Sequence, residues 1–144
     1  QPGMEVEARE PAEAFPSRVR ALANEGKLNE ALACCEEWIS TDKLNASAHY
    51  LRAMISQELG VLAGARHSLQ RAIYLEQDFV LAHFAMGNLA RMEGRHDESD
   101  RHFRNALSLM RRCEPDEILP EAEGLNVARL REIITSISTL EPIR

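Results

Sequence analysis

The chain has 144 residues, 44% of them hydrophobic and 28% charged, which suits one globular domain and leaves little room for a second. Its net charge of −6 is uneven: −5 over residues 1–42, +3 over 43–112 and −4 over 113–144. That distribution lacks the concentrated basic stripe that nucleic acid wants, though it leaves room for an acidic peptide near the middle. No apolar run approaches the roughly 20 residues of a membrane span.

At the N-terminus, Gln1-Pro2-Gly3-Met4 has no basic-then-apolar signal pattern. Residues 1–15, acidic and carrying Pro2 and Pro11, read as a flexible tail or a cloning remnant. Helices are then expected over 16–25, 28–41, 46–59, 62–75, 80–93 and 96–112. Pro16 fits the first turn of its helix, where a missing N–H costs nothing. Residues 114–125, with Pro115 and Pro120, read as an extended connector. A last helix follows over 126–139, with Asn126 as N-cap and Val127, Leu130, Ile133, Ile134 and Ile137 along one face.

The six central helices repeat. Gly26, Gly60 and Gly94 are 34 residues apart. Five residues after each comes a small side chain (Ala31, Ala65, Ser99), nine after a larger one (Cys35, Leu69, Phe103), and twelve after Trp38, Ala72 and Ala106. The glycine ends a first helix where the chain turns back, the small residue lets the second helix approach, and the larger one fills the gap. Period and order resemble the tetratricopeptide pattern of helix, tight turn and helix. The repeats register as 12–45, 46–79 and 80–113. The fold expected is all-α: a right-handed superhelical stack of three helix pairs, covered at its end by the last helix.

Chemistry-bearing motifs are missing. The seven glycines form no dinucleotide or phosphate loop, and no metalloprotease or serine-hydrolase signature occurs. Cys34, Cys35 and Cys113 form neither a zinc pair nor a disulfide framework, and read as packing residues of a reducing, cytoplasmic setting. His49 and His83 share a repeat position and read as helix-interface packing, while His67, His96 and His102 read as surface residues. The chain itself is therefore expected to be no enzyme, with no catalytic residue, cofactor or metal of its own.

In tetratricopeptide stacks the first helices line a concave face suited to an extended or helical segment. The resemblance implies that Ser47, Tyr50, Met54, Gln57 and Glu58 face it from the second repeat. Leu81, Phe84, Asn88, Arg91 and Met92 would do so from the third, and Arg20 and Asn24 from the first. The lysine–asparagine clamp that some members close on a partner's C-terminus is not matched, because Pro16, Arg20, Leu51, Leu81 and Ala85 stand in its places. The expected protein-binding groove is thus mixed, with Tyr50, Met54, Phe84 and Met92 as apolar contacts and Arg20, Gln57 and Arg91 as polar ones, beside Asn88 at a typical asparagine position.

A narrower resemblance runs over about residues 22–139. The segments SAHYLRAMISQELG, RAIYLEQDFVLAHFAMGNLARMEGRHDESDRHFRNALSLM and above all PDEILPEAEGLNVARLREII resemble the C-terminal repeat domain of chemotaxis receptor methyltransferases of the CheR type. This implies a bacterial parent that uses S-adenosylmethionine to methylate receptor glutamates through a catalytic domain preceding this segment. The repeat domain would target or regulate it by contacting a chemoreceptor, another signalling protein or the parent's own methyltransferase domain. The alternative is a stand-alone repeat scaffold or chaperone-like adaptor.

Overall fold

The computed structural model describes residues 14–137; the expected tail of 1–15 falls almost wholly outside them, as do the last two residues of the 126–139 helix. Among the described residues seven α-helices follow one another: α1 Ala14–Asn24, α2 Leu28–Thr41, α3 Ala46–Glu58, α4 Leu62–Leu75, α5 Val80–Met92, α6 His96–Leu109 and α7 Val127–Ile137. A 3₁₀ turn, Met110–Arg112, finishes α6 one turn before Pro115. Among the described residues the only β pairing is an isolated bridge between Ile118 and Asn126. The chain divides into two compact units, residues 1–71 and 72–144.

Each first helix ends in the same way. Gly26, Gly60 and Gly94 have φ of 79°, 82° and 75°, in the left-handed region that a Cβ disfavours. In the first turn, Gly26 N–H donates to Ala23 C=O at 3.0 Å and Lys27 N–H to Leu22 C=O at 2.9 Å. Gly60 to Gln57 with Val61 to Ser56, and Gly94 to Arg91 with Arg95 to Ala90, repeat this pair. These are Schellman closures, which satisfy the orphan carbonyls of a helix end and return the chain. Starts are marked less uniformly: Asn45 Oδ1 accepts Ala48 N–H at 3.2 Å before α3, and Asn126 Oδ1 accepts Arg129 N–H at 2.9 Å before α7.

In the first unit α1 packs on α2 and α2 on α3. Phe15 and Trp38 stack with ring centroids 6.0 Å apart, and Val19, Ala31 and Cys35 are buried in the same unit. In the second unit α5 lies against α6, and Gly87 makes room for the Phe103 ring. A Cβ built there would stand 2.5 Å from Phe103 Cε1, and Phe103 is fully buried. Beside it Ser99 Oγ donates to Gly87 C=O at 2.8 Å. The small residue expected to admit the second helix therefore also bonds the first. Burial of a ring such as Phe103 contributes about 1.5–3 kcal/mol, so the bare glycine surface matters.

The segment after α6 is not the extended connector expected from its prolines. It folds into turns, with Glu121 and Glu123 left-handed at φ of 65° and 51° beside Gly124 at 95°. Leu119 N–H donates to Leu125 C=O at 3.2 Å, and the first turn of α7 donates back, Val127 N–H to Glu117 C=O and Ala128 N–H to Pro115 C=O, both at 2.9 Å. Two prolines block helix here, but backbone acceptors remain, and the start of α7 uses them. Val127, Leu130 and Ile134 of α7 are buried, as is Leu119, whereas Ile133 and Ile137 are half-buried. Arg131 Nη2 donates to Met110 C=O at 2.8 Å, satisfying an open carbonyl at the end of α6.

Replacing Gly87 by alanine should lower the unfolding free energy by about 1–3 kcal/mol, because the buried Phe103 ring must move. Urea denaturation checks it, and an unchanged midpoint would rule out the close α5–α6 contact.

Candidate functional site

The expected groove residues fall into one stripe in each unit. Tyr50, Met54 and Gln57 stand at i, i+4 and i+7 of α3, and Phe84, Asn88 and Arg91 occupy the same places on α5. At helical pitch each trio shares a face. Arg20 is half-buried on α1, a helix that packs against α3 as well as α2.

Burial sorts these candidates. Met54, Gln57, Phe84 and Asn88 are half-buried and Arg91 is exposed, the range expected of a surface that has yet to be covered. Tyr50 departs from the expectation: it is 8% exposed and belongs to the core of its unit rather than to an open apolar contact. Leu81, implied by the repeat register, is likewise buried at 5%. Phe84 has a divided role, since its ring tilts at 40° to Phe103 with centroids 5.9 Å apart. Met92, just past the α5 stripe, is 59% exposed, large for an apolar side chain. Each stripe offers groups such as thioether, carboxamide or guanidinium that can pack against or hydrogen-bond a partner but are poor proton carriers at neutral pH.

The histidines serve the architecture. His49 and His83 are buried, and their Nε2 atoms lie 3.2 Å and 3.0 Å from the carbonyls of Lys43 and Gln77, each six residues upstream. Each imidazole thus ties the loop before a first helix to that helix. Burial holds the His49 pKa below its ordinary 6.5; Arg71, Arg52 and His67 push the same way, against the bond to Lys43. His102 corrects the sequence reading, because it is buried rather than on the surface. Its ring lies 6.0 Å from that of His83, and its Nε2 is 3.6 Å from a Glu98 carboxylate oxygen. The signal was present in the register: eight residues after each turn glycine stand Cys34, Ser68 and His102, all buried. His67 and His96 are exposed.

Cys34 and Cys35 are buried, and burial pushes the Cys35 thiol up to about 12, with Cys34 adding to the shift. A thiol so protonated is packing material rather than a nucleophile. Among the described residues no three His, Cys, Asp or Glu side chains are placed to share a metal ion, and no helix is long and apolar enough to cross a membrane.

Comparison with known proteins matches this geometry. No family model matches the chain. It is 31% identical over 88 residues to DnaJ homolog subfamily C member 3 of Gallus gallus, a match covering 61% of the chain and only 17% of that protein's length. The type III secretion translocator chaperone SycD of Yersinia enterocolitica, solved with a peptide of the translocator YopD, superposes with a TM-score of 0.74 at 14% identity, over 86% of each chain. MamA of Desulfovibrio magneticus gives 0.66 at 20% identity, over 71% of this chain and 58% of that one. The second tetratricopeptide domain of Spaghetti (RPAP3), bound to an HSP90 peptide, gives 0.65 at 24% identity, over 72% of this chain and 95% of that one. The fold is tetratricopeptide-like.

His49 makes stability depend on pH. Its folded-state pKa lies below the unfolded one, so its stabilisation is complete above about pH 6.5 and is lost as pH falls towards the folded value. Urea midpoints between pH 7.5 and 5 should therefore fall more steeply for wild type than for His49→Gln. Parallel profiles would contradict it.

Proposed function

We propose that this chain is a protein-binding repeat module that targets or regulates a chemoreceptor glutamate methyltransferase in bacterial chemosensory signalling. The observation that carries the binding part is the recurrence of one incompletely buried stripe, Met54–Gln57 on α3 and Phe84–Asn88–Arg91 on α5, at the same repeat positions. Two of the similar structures hold peptides, which supports a protein partner. The methyltransferase part rests on the resemblance of residues 115–134 and the repeats before them to the C-terminal domain of that enzyme class. In such a parent, S-adenosylmethionine and the catalytic groups belong to the methyltransferase domain, and this module selects what reaches them. The partner is a chemoreceptor segment, another signalling protein or the methyltransferase domain itself.

A second reading is a free-standing adaptor of the chaperone kind, favoured by the SycD likeness over 86% of both chains. The two differ in their effect on catalysis. A targeting module changes which receptor is methylated when it is removed, whereas an adaptor leaves methylation unaltered.

Titrating labelled chemoreceptor fragments against wild type and Arg91→Glu tests the stripe. Arg91 is exposed, so the reversal should leave the fold intact while weakening binding about tenfold, or 1.4 kcal/mol. Equal affinity for both proteins would remove this face from consideration.

A further inference from the structure

Each unit also carries an open cleft that none of the stripe residues lines. In the first unit it measures about 360 Å³ and is bordered by Glu36, Ile39, Lys43, His49, Arg52 and Arg71. In the second it measures about 430 Å³ and includes Ile73, Gln77, His83 and Asn105. Ile39, Lys43, His49 and Arg71 each lie 34 residues before these four, so the repeat builds the same cleft twice. Both are lined by a histidine more than nine-tenths buried, whose Nε2 bonds a loop carbonyl and whose Nδ1 has no partner among the described residues.

What lines them differs. In the first unit Lys43 comes from the loop after α2, Arg52 from α3 and Arg71 from α4, so three elements bring cations to one place. Arg52 spends its charge on Glu36, at 3.3 Å, but Lys43 and Arg71 have no carboxylate partner among the described residues. The second cleft has amides, Gln77 and Asn105, at those two positions. Ile39 adds an apolar wall beside the unpaired cations.

We propose that the first cleft is a second docking site, separate from the α3 and α5 stripes, which seats a glutamate side chain of an extended acidic peptide. The carboxylate lies between Lys43 and Arg71, and its two methylenes rest on Ile39. Charge complementarity selects the acid, because two unpaired cations gain a counter-charge that the neutral second cleft does not offer. A cleft open to solvent encloses a free small anion poorly, whereas a peptide adds contacts on either side of the seated residue. Burial is the main cause of the lowered His49 pKa, and the Arg71 and Arg52 charges push it the same way.

Fluorescence anisotropy with the whole chain tests the site, using a fluorescein-labelled peptide of alternating glutamate and alanine and its glutamine counterpart. The glutamate peptide should bind, lose affinity as salt is raised, and outbind the glutamine peptide. The double variant Lys43→Gln, Arg71→Asn, which copies the chemistry of the second cleft, should bind about fivefold more weakly, the scale of two partly exposed ion pairs. Arg104→Gln, an exposed arginine of α6 outside both clefts, should bind as wild type does. Circular dichroism establishes that the variants keep their helices. The site is overturned by no binding of the glutamate peptide to wild type, by equal binding of the glutamine peptide, or by undiminished affinity in the double variant. A loss that followed Arg91→Glu instead would place the anion on α5 and overturn it equally.

Discussion

The left-handed glycine between paired helices is the constraint from which the rest of the structure follows. At Gly26, Gly60 and Gly94 a φ near +80° lets two backbone bonds close the end of the first helix and start the second antiparallel to it. A Cβ at these glycines would meet nothing within 4 Å, so space does not demand them. Backbone conformation does, and a left-handed alanine costs about 1–2 kcal/mol. Once the turn is set, side-chain size governs how the helices meet. Ala31, Ala65 and Ser99 are buried almost completely, and at the α5–α6 crossing Gly87 lies beneath the Phe103 ring.

Much of this was legible in the sequence because a 34-residue period repeats each requirement. Gly26, Gly60 and Gly94 gave the turns, and their companion positions gave the buried residues five, nine and twelve further on. Expected helix ends differ from observed ones by a few residues at most, since the last residue before each glycine already leaves the helix. Asn126 was recognisable as a cap because its side chain has one favourable use there. The connector was not legible. Two prolines exclude helix but do not say whether the chain runs straight or folds back, and the bonds that fold it come from α7.

The candidate surface was only partly legible, for a related reason. Repeat register says which side of a helix a residue occupies but not how deeply its neighbours cover it. Tyr50 and Phe84 share a register position, yet Tyr50 is buried while Phe84 remains half-buried against Phe103. His102 was misplaced because histidine on a second helix looks like surface, although Cys34 and Ser68 at the same position already marked a buried site. The two clefts are not legible in the sequence. Each is assembled from helices and a loop that no single repeat contains, so it shows only once the elements are placed.

The α3 and α5 stripes carry the functional account, because their incompletely buried side chains recur at one register while the buried histidines and cysteines are used up in packing. Amide chemical-shift mapping of the isotope-labelled chain with a bound chemoreceptor fragment tests this most directly. The account predicts that the largest shifts fall at Met54, Gln57, Asn88 and Arg91. Saturating binding that leaves those four amides in place, with shifts gathered elsewhere on the chain, would contradict it.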